Sequence, residues 1–136
     1  MVSELFDAYR VFYEQDSDLQ HSRAFLERRF QNNDSVVFLA LDGEIPVGFT
    51  QLYKTFSSVS LQPFYILNDL YVKPEYRGQR AGKLLLKRAQ EFCSDLKFKG
   101  LALETAKDNP AQKLYEQLGW EKDEDFLHYF WKNAEL

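Results

Sequence analysis

The sequence predicts an α/β (α+β) fold built on a mixed β-sheet with helices on its faces, and three observations carry that expectation. The order of periodic segments is helix, helix, a three-strand meander, helix, strand, helix, strand. Phe64 to Val72 is an apolar, β-branched and aromatic run that reads as a buried strand. It is followed, across a short glycine-bearing turn, by a helical pattern, which makes a βαβ unit centred on the turn. Apolar residues are 45% of the 136 and aromatics 16%, ample for the core of a single domain over residues 1–136.

Each element has its own signal. Leu5, Ala8, Tyr9 and Phe12 recur at helical spacing between Ser3 and Tyr13. Asp16-Ser17-Asp18 offers an N-cap to a second helix whose apolar face is Leu19, Leu26 and Phe30. Val36 to Leu41 is a short strand, Asp42-Gly43 a hairpin turn and Val47 to Thr55 the returning strand. Pro46 opens that strand, where a missing N–H is tolerable. Ser57 to Gln62 is a loop ahead of the central strand, which Lys73-Pro74-Glu75-Tyr76 breaks. A helix follows from about Gly78 to Ser94, with Leu84, Leu85, Ala89 and Phe92 on one face. Leu101 to Thr105 reads as a further strand. Asp108-Asn109-Pro110 opens a last helix that ends at Leu118 with Gly119 as its cap. Trp120 to Lys122 and Phe126 to Lys132 read as strand material around the charged turn Asp123-Glu124-Asp125.

Composition excludes several function classes. A net charge of -4 argues against a nucleic-acid partner. One cysteine, Cys93, allows no internal disulfide and suits a reducing compartment; with two distant histidines, no metal site is expected. The apolar runs are too short for a membrane partner, so cytoplasm is the expected compartment. The basic charge is nonetheless concentrated. Lys73, Arg77, Arg80, Lys83, Lys87 and Arg88 stand against Glu75 alone, a local balance of +5. Such an island points to a small anionic ligand.

That island contains the turn. Backbone N–H groups at the start of a helix are unpaired and favour an anion, and Gly78 and Gly82 let the main chain come close to one. A phosphate-binding P-loop needs four residues between its glycines and a hydroxyl residue after the lysine; here there are three, and Leu84 follows Lys83. The dinucleotide pattern G-x-G-x-x-G also fails on spacing. The remaining pattern, Arg or Gln-x-x-Gly-x-Gly or Ala after a strand, is matched at its ends by Arg77-Gly78-Gln79-Arg80-Ala81-Gly82.

With its flanks, Leu67-Asn68-Asp69-Leu70-Tyr71-Val72-Lys73-Pro74-Glu75-Tyr76 before and Lys83-Leu84-Leu85 after, this segment resembles the acetyl-CoA signature of GNAT-type N-acetyltransferases. A second segment, Asn109-Pro110-Ala111-Gln112-Lys113-Leu114-Tyr115-Glu116-Gln117-Leu118-Gly119-Trp120, is similar to that family's Asn…Ala…Leu-Tyr-Glu-x-Leu-Gly-Phe helix. The resemblance covers roughly Val36 to the end. It implies a GNAT-like acyl-CoA N-acyltransferase fold, with little sequence here for the strand that usually precedes the first helix. Arg80 stands where the family usually has glycine. Tyr9-Arg10-Val11-Phe12-Tyr13-Glu14 and Phe56-Ser57-Ser58-Val59-Ser60 look like the histone- and polyamine-acetylating branch.

The resemblance assigns roles. Acetyl-CoA is the co-substrate and an amine the acceptor, joined by direct attack in a ternary complex. The backbone of Leu70, Tyr71 and Val72 would pair with the pantetheine arm. Arg77, Gly78, Gln79, Arg80, Ala81, Gly82 and Lys83 would cradle the pyrophosphate, and Asn109 and Lys113 would complete the cofactor site. Tyr115 is the candidate acid for the leaving thiolate, although its position also suits a ring that packs against its own helix. Asn109 also suits a helix N-cap before Pro110. Asp69 is the candidate base, with Glu104 as the second choice, and Asp69 equally suits a buried, hydrogen-bonded structural carboxylate. The mixture of polar and apolar residues from Leu67 to Val72 is compatible with a β-bulge that frees a backbone N–H. A cationic acceptor (a polyamine, amino sugar, aminoglycoside or lysine-bearing peptide) suits the acidic chain. The aromatic run Phe126 to Trp131 suggests a homodimer. A non-catalytic acyl-CoA-binding sensor or scaffold is the alternative from a different class.

Overall fold

The computed structural model describes residues 2–136 and divides into two compact units, one running to Glu104 and the other Thr105–Leu136. In the first unit α1 (Val2–Phe12) and α2 (Leu19–Gln31) precede β1 (Ser35–Asp42), β2 (Ile45–Ser57) and β3 (Gln62–Val72). A 3-10 turn at Pro74–Tyr76, α3 (Ala81–Asp95) and β4 (Leu101–Ala102) complete it. The sheet order is β1-β2-β3-β4; the meander is antiparallel, and β4 runs parallel to β3 after the α3 crossover. The expected mixed sheet and βαβ unit are both present.

Turn chemistry sets the hairpins. Asp42 pairs with Ile45, leaving Gly43 and Glu44 as a two-residue loop, and Gly43 at φ +62 supplies the positive φ such loops require. The second hairpin is tighter than a loop over Ser57 to Gln62 would be. Those two residues pair with each other, and Leu61 takes φ +57 to close the turn. Pro46 sits beside a register shift between Ala40 and Leu41, where a missing donor is harmless.

Asp7 ties α1 to α2. Its carboxylate accepts the Ser17 hydroxyl at 2.6 Å, the Asp18 backbone N–H at 2.7 Å and the Ser22 hydroxyl at 3.0 Å. Asp18 caps α2 by accepting the His21 N–H. The buried side of α2 is therefore Ser22 and Leu26 rather than the expected Leu19, Leu26 and Phe30, because Ser22 turns inward to reach Asp7 and rotates Leu19 and Phe30 toward solvent. On α3 the buried set is Leu85, Leu86, Ala89 and Cys93, one step round from the expected face, and Leu84 is exposed.

The two faces of the sheet carry different layers. On one side Leu5, Phe6 and Leu26 of the N-terminal helices pack with Phe49 and Tyr71. Burying side chains of that size stabilises by about 1.5–3 kcal/mol each. On the other side Phe92 of α3 meets Phe38 and Tyr65. Gly48 allows the strands to approach, since a Cβ there would lie 2.8 Å from the Tyr71 carbonyl oxygen.

The second unit holds α4 (Gln112–Gln117) and extended chain without strand pairing among the described residues. The strands expected at Trp120 to Lys122 and Phe126 to Lys132 do not form, and β4 ends at Ala102 rather than Thr105. A strand exists only within a ladder, and among the described residues the four-stranded sheet does not include the exposed run Phe126 to Trp131.

Candidate active site

The central feature is a bulge in β3. Gln51 of β2 pairs with Asp69, but its neighbour Leu52 pairs with Leu67, so Asn68 is the extra residue. Side chains alternate across a strand, and one inserted residue moves the following side chains to the opposite face. Tyr65, before the bulge, packs against Phe92 of α3; Tyr71, after it, packs against Tyr9 and Phe12 of α1. The bulge thereby delivers Asp69 to the α1 side.

There Asp69 is 1% exposed and accepts two amide hydrogen bonds, from Gln51 Nε2 at 2.6 Å and Asn68 Nδ2 at 2.7 Å. The Thr50 hydroxyl donates to the Asp69 carbonyl at 2.8 Å and pins the backbone. The Tyr9 hydroxyl donates to the Asn68 carbonyl at 3.2 Å and faces the Asp69 carboxylate as well. Burial pushes the Asp69 carboxyl above its ordinary value, and the amides oppose that without reversing it. Tyr53 is pushed up to about 12 by burial and by the Asp69 charge, and Tyr9 is raised further for the same reasons. Both phenols therefore remain neutral donors. A carboxylate held in this way, with a raised proton affinity and no cation in contact, is suited to accept a proton.

Beside the bulge, β3 has no strand partner on one edge among the described residues. Parallel pairing with β4 ends at Ile66↔Ala102, so Leu70, Tyr71 and Val72 pair only with β2, opposite Thr50, Phe49 and Gly48. An extended ligand can add to such an edge. At the end of β3 the chain turns through Gly78 at φ +81 and Arg80 at φ +71 into α3. Arg80 takes the left-handed conformation that glycine adopts freely, and its side chain is exposed. No side chain caps α3, and its first intrahelical bond runs from the Leu84 N–H to the Arg80 carbonyl. The N–H groups of Ala81, Gly82 and Lys83 thus have no intrahelical acceptor, which fits a phosphate.

Side chains of the turn brace it. Arg77 Nε donates to the Val72 carbonyl at 2.9 Å, and its guanidinium lies over the rings of Phe12 and Tyr71 at 5.2 and 5.6 Å. Gln79 Nε2 donates to the Glu75 carbonyl. A groove of about 530 Å³ lies beside the turn, lined by Phe38, Leu41, Tyr76, Gln79, Leu84 and Arg88. It belongs to the α3 face of the sheet, away from Asp69.

In the second unit, Tyr115 occupies the last turn of α4. The Trp120 N–H donates to the Tyr115 carbonyl and the Gly119 N–H to the Glu116 carbonyl, with Gly119 at φ +90, a Schellman cap. The Tyr115 and Trp120 rings meet at 5.9 Å as that cap favours. Asn109 accepts the Ala111 N–H at 2.9 Å and donates to Thr105, holding the approach to α4. Lys113 is an exposed residue of that helix. Glu104 is exposed beyond β4.

Three of these residues were not singled out for the site from sequence: Gln51, Tyr53 and Tyr9. Gln51 meets Asp69 through strand register, which one residue of bulge changes, and Tyr53 senses the Asp69 charge from the same strand. Tyr9 carried a signal in its helical spacing, but that spacing reads as core.

The family model described as Acetyltransferase (GNAT) family matches residues 2–120. The chain belongs to that family, and it is an N-acetyltransferase. It is 47% identical over 129 residues to the uncharacterized N-acetyltransferase YhfO of Bacillus subtilis (strain 168), covering 94% of this chain and 87% of that protein. A crystal structure of a probable acetyltransferase superposes with a TM-score of 0.91 at 39% identity, over 98% of this chain and 90% of that one. A shorter similarity, 36% over 88 residues, 57% of this chain and 51% of the other, is to the thialysine N-epsilon-acetyltransferase of Bos taurus.

Proposed function

We propose that the protein transfers the acetyl group of acetyl-CoA to a primary amine by direct attack within a ternary complex. One observation carries this reading: the bulge sets a buried Asp69, its proton affinity raised by that burial, immediately before the stretch Leu70 to Val72, which among the described residues pairs with β2 alone. Acetyl-CoA supplies the reactive thioester. The backbone of Leu70, Tyr71 and Val72 holds its pantetheine arm, and the turn from Arg77 to Lys83 binds its pyrophosphate, chiefly through main-chain N–H groups. Arg77 and Gln79 act as braces, and Arg80 preserves the turn by taking the conformation the position requires.

A primary amine with pKa near ~10 arrives protonated, and desolvation beside α1 lowers that value toward the carboxylate's reach. Asp69 takes the amine proton, directly or through one water. The nitrogen lone pair then forms the C–N bond while the C–S bond breaks and Tyr115 gives its proton to the sulfur; the second proton shed by the new amide nitrogen passes through water to restore the Tyr115 phenol. Burial raises the Cys93 thiol above its ordinary value, which opposes a thiolate and an acetyl-cysteine route. Asn109 and Lys113 are further candidate cofactor contacts, as the family resemblance implies. The acceptor is a cationic amine of the polyamine, amino-sugar or lysine class, and the exposed aromatic run Phe126 to Trp131 favours a homodimer in the cytoplasm.

Calorimetry with acetyl-CoA, followed by thiol release over lysine, thialysine, spermidine and glucosamine, tests the reading. Binding and release with at least one amine are expected. Binding without release from any would favour an acyl-CoA sensor, and absence of binding would refute both. Tyr115→Phe should lower kcat by roughly tenfold or more with acetyl-CoA binding unchanged. Full turnover in that variant would remove Tyr115 as the acid.

A further inference from the structure

Gln51 is fully buried on β2, directly across the ladder from Asp69. A carboxylate only accepts hydrogen bonds, so the amide must present its NH2 end to it, and Nε2 does so at 2.6 Å. That orientation points Oε1 the other way, where it is buried without a hydrogen-bond partner. An unpaired interior carbonyl oxygen costs about 1–3 kcal/mol. A methionine of similar volume would fill the same space without that cost. As a stabiliser of the core Gln51 is therefore a poor choice, and what it does supply is a fixed donor to one carboxylate oxygen.

The groups facing Asp69 are Tyr9 from α1, Gln51 and Tyr53 from β2, and Asn68 from the bulge itself; Arg29 of α2 and Asp34 act farther out, on Tyr53. The four immediate neighbours are neutral at physiological pH. Its two amide donors are not equivalent. Asn68 is exposed, so water can take its place, whereas Gln51 is sealed in the sheet.

We propose that Gln51 is a positioning residue for acetyl transfer, locking the Asp69 carboxylate in one rotamer and holding it as the acceptor of the amine proton. This rests on Asp69 being the base. Removing the amide leaves burial unopposed on that side, so the carboxylate binds its proton more tightly and loses its basic form first at low pH.

The test combines carbon-13 NMR titration of the Asp69 carboxyl with pH profiles of kcat/KM for thialysine. In the wild type the Gln51 Nε2 protons should shift in step with Asp69, a response lost in Asp69→Asn. In Gln51→Met, Asp69 should titrate about one unit higher, and the acid limb of kcat/KM should follow by the same ~tenfold factor in proton concentration. Above that limb the rate should fall by about threefold or more, since the carboxylate is no longer held in one rotamer. An unchanged Asp69 titration in Gln51→Met, or Gln51 protons indifferent to it, would overturn the proposal while leaving the base assignment standing. A shifted titration beside an unmoved rate limb, with Asp69→Asn fully active, would instead remove Asp69 as base and Gln51 with it. Should Gln51→Met not fold, the wild-type NMR response decides alone.

Discussion

Two carboxylates are buried among the described residues of the first unit, and their proton affinities are shifted in opposite directions. Asp7, 8% exposed, accepts two hydroxyls and a backbone N–H at the start of α2, with the Arg10 guanidinium 3.8 Å away. The Ser17 hydroxyl and the Asp18 N–H hold it below its ordinary value. Asp69, 1% exposed, has two amides and the Tyr9 hydroxyl, with no cation in contact among the described residues, and burial raises it. Each has three donors, so the difference lies chiefly in depth: burial is the largest influence on Asp69 and a lesser one on Asp7, which sits nearer the surface. At Asp7 the hydroxyls, the helix end and the Arg10 charge outweigh the burial, so the ionised form is favoured. At Asp69 the replacement is partial, and a partly compensated charge retains its affinity for protons. In this pair the donors match in number, and the depth of burial sets the direction of each shift.

The largest break in this comparison comes from removing each charge. Asp69→Asn should reduce acetyl transfer by roughly 10²–10⁴-fold, the range for loss of a proton-transfer group. Its melting temperature at neutral pH should equal or exceed that of wild type, since an uncompensated charge is gone. Asp7→Asn should do the reverse. Three bonds to an ionised acceptor are weakened, at a cost of about 3 kcal/mol, while turnover per folded molecule stays within about twofold. Thermal unfolding and steady-state rates on both variants check this. A destabilised, active Asp69→Asn would assign that residue to the fold instead.

Acid titration separates the two by sign. The Asp7 carboxyl is depressed in the folded protein, so its stabilisation is present above the unfolded value near ~3.9 and is lost as pH falls through the lower folded value. The Asp69 carboxyl is raised, so its contribution is present below ~3.9 and is lost as pH rises through the folded value. Asp69→Asn should therefore gain stability over wild type on the neutral side and lose that advantage below about pH 4. Asp7→Asn should lie below wild type at neutral pH and converge with it in acid. Denaturant midpoints from pH 3 to 8 measure both differences.

How far this contrast could be read from the chain depends on the kind of contact. The βαβ unit, the glycine turn and the Schellman cap at Gly119 are local, and Phe64 to Gly82 and Asn109 to Trp120 announce them. Asp69 was visible as an acid in an apolar strand, and the mixed polarity around it agreed with a bulge. The partners were not visible, because Gln51 lies 18 positions away and meets Asp69 only through a register that Asn68 shifts. Asp7 looked like a polar position on an amphipathic helix, since nothing local says that Ser17 and Ser22 will fold back onto it. The exposed course of Phe126 to Trp131 was illegible for the opposite reason. Its local pattern favours a strand, and the partner that would make one is not within the described pairing.

The finest test removes one donor from each carboxylate. Ser22 is 2% exposed and donates to Asp7 at 3.0 Å, so water has no easy access to its place; Ser22→Ala should cost about 1 kcal/mol and leave the pH profile alone. Asn68 is exposed, and water can replace its amide at Asp69. Asn68→Ala should therefore change stability by less than ~0.5 kcal/mol, the usual scale for a surface substitution. Its effect should appear only in the acid limb of kcat/KM, which moves upward, though less than in Gln51→Met. Equal displacement in the two variants would mean that both amides are fixed donors. Downward displacement would mean that Asn68 had been opposing the ionised form, and the contrast with Asp7 would have to be drawn from the aromatic neighbours Tyr9 and Tyr53 instead.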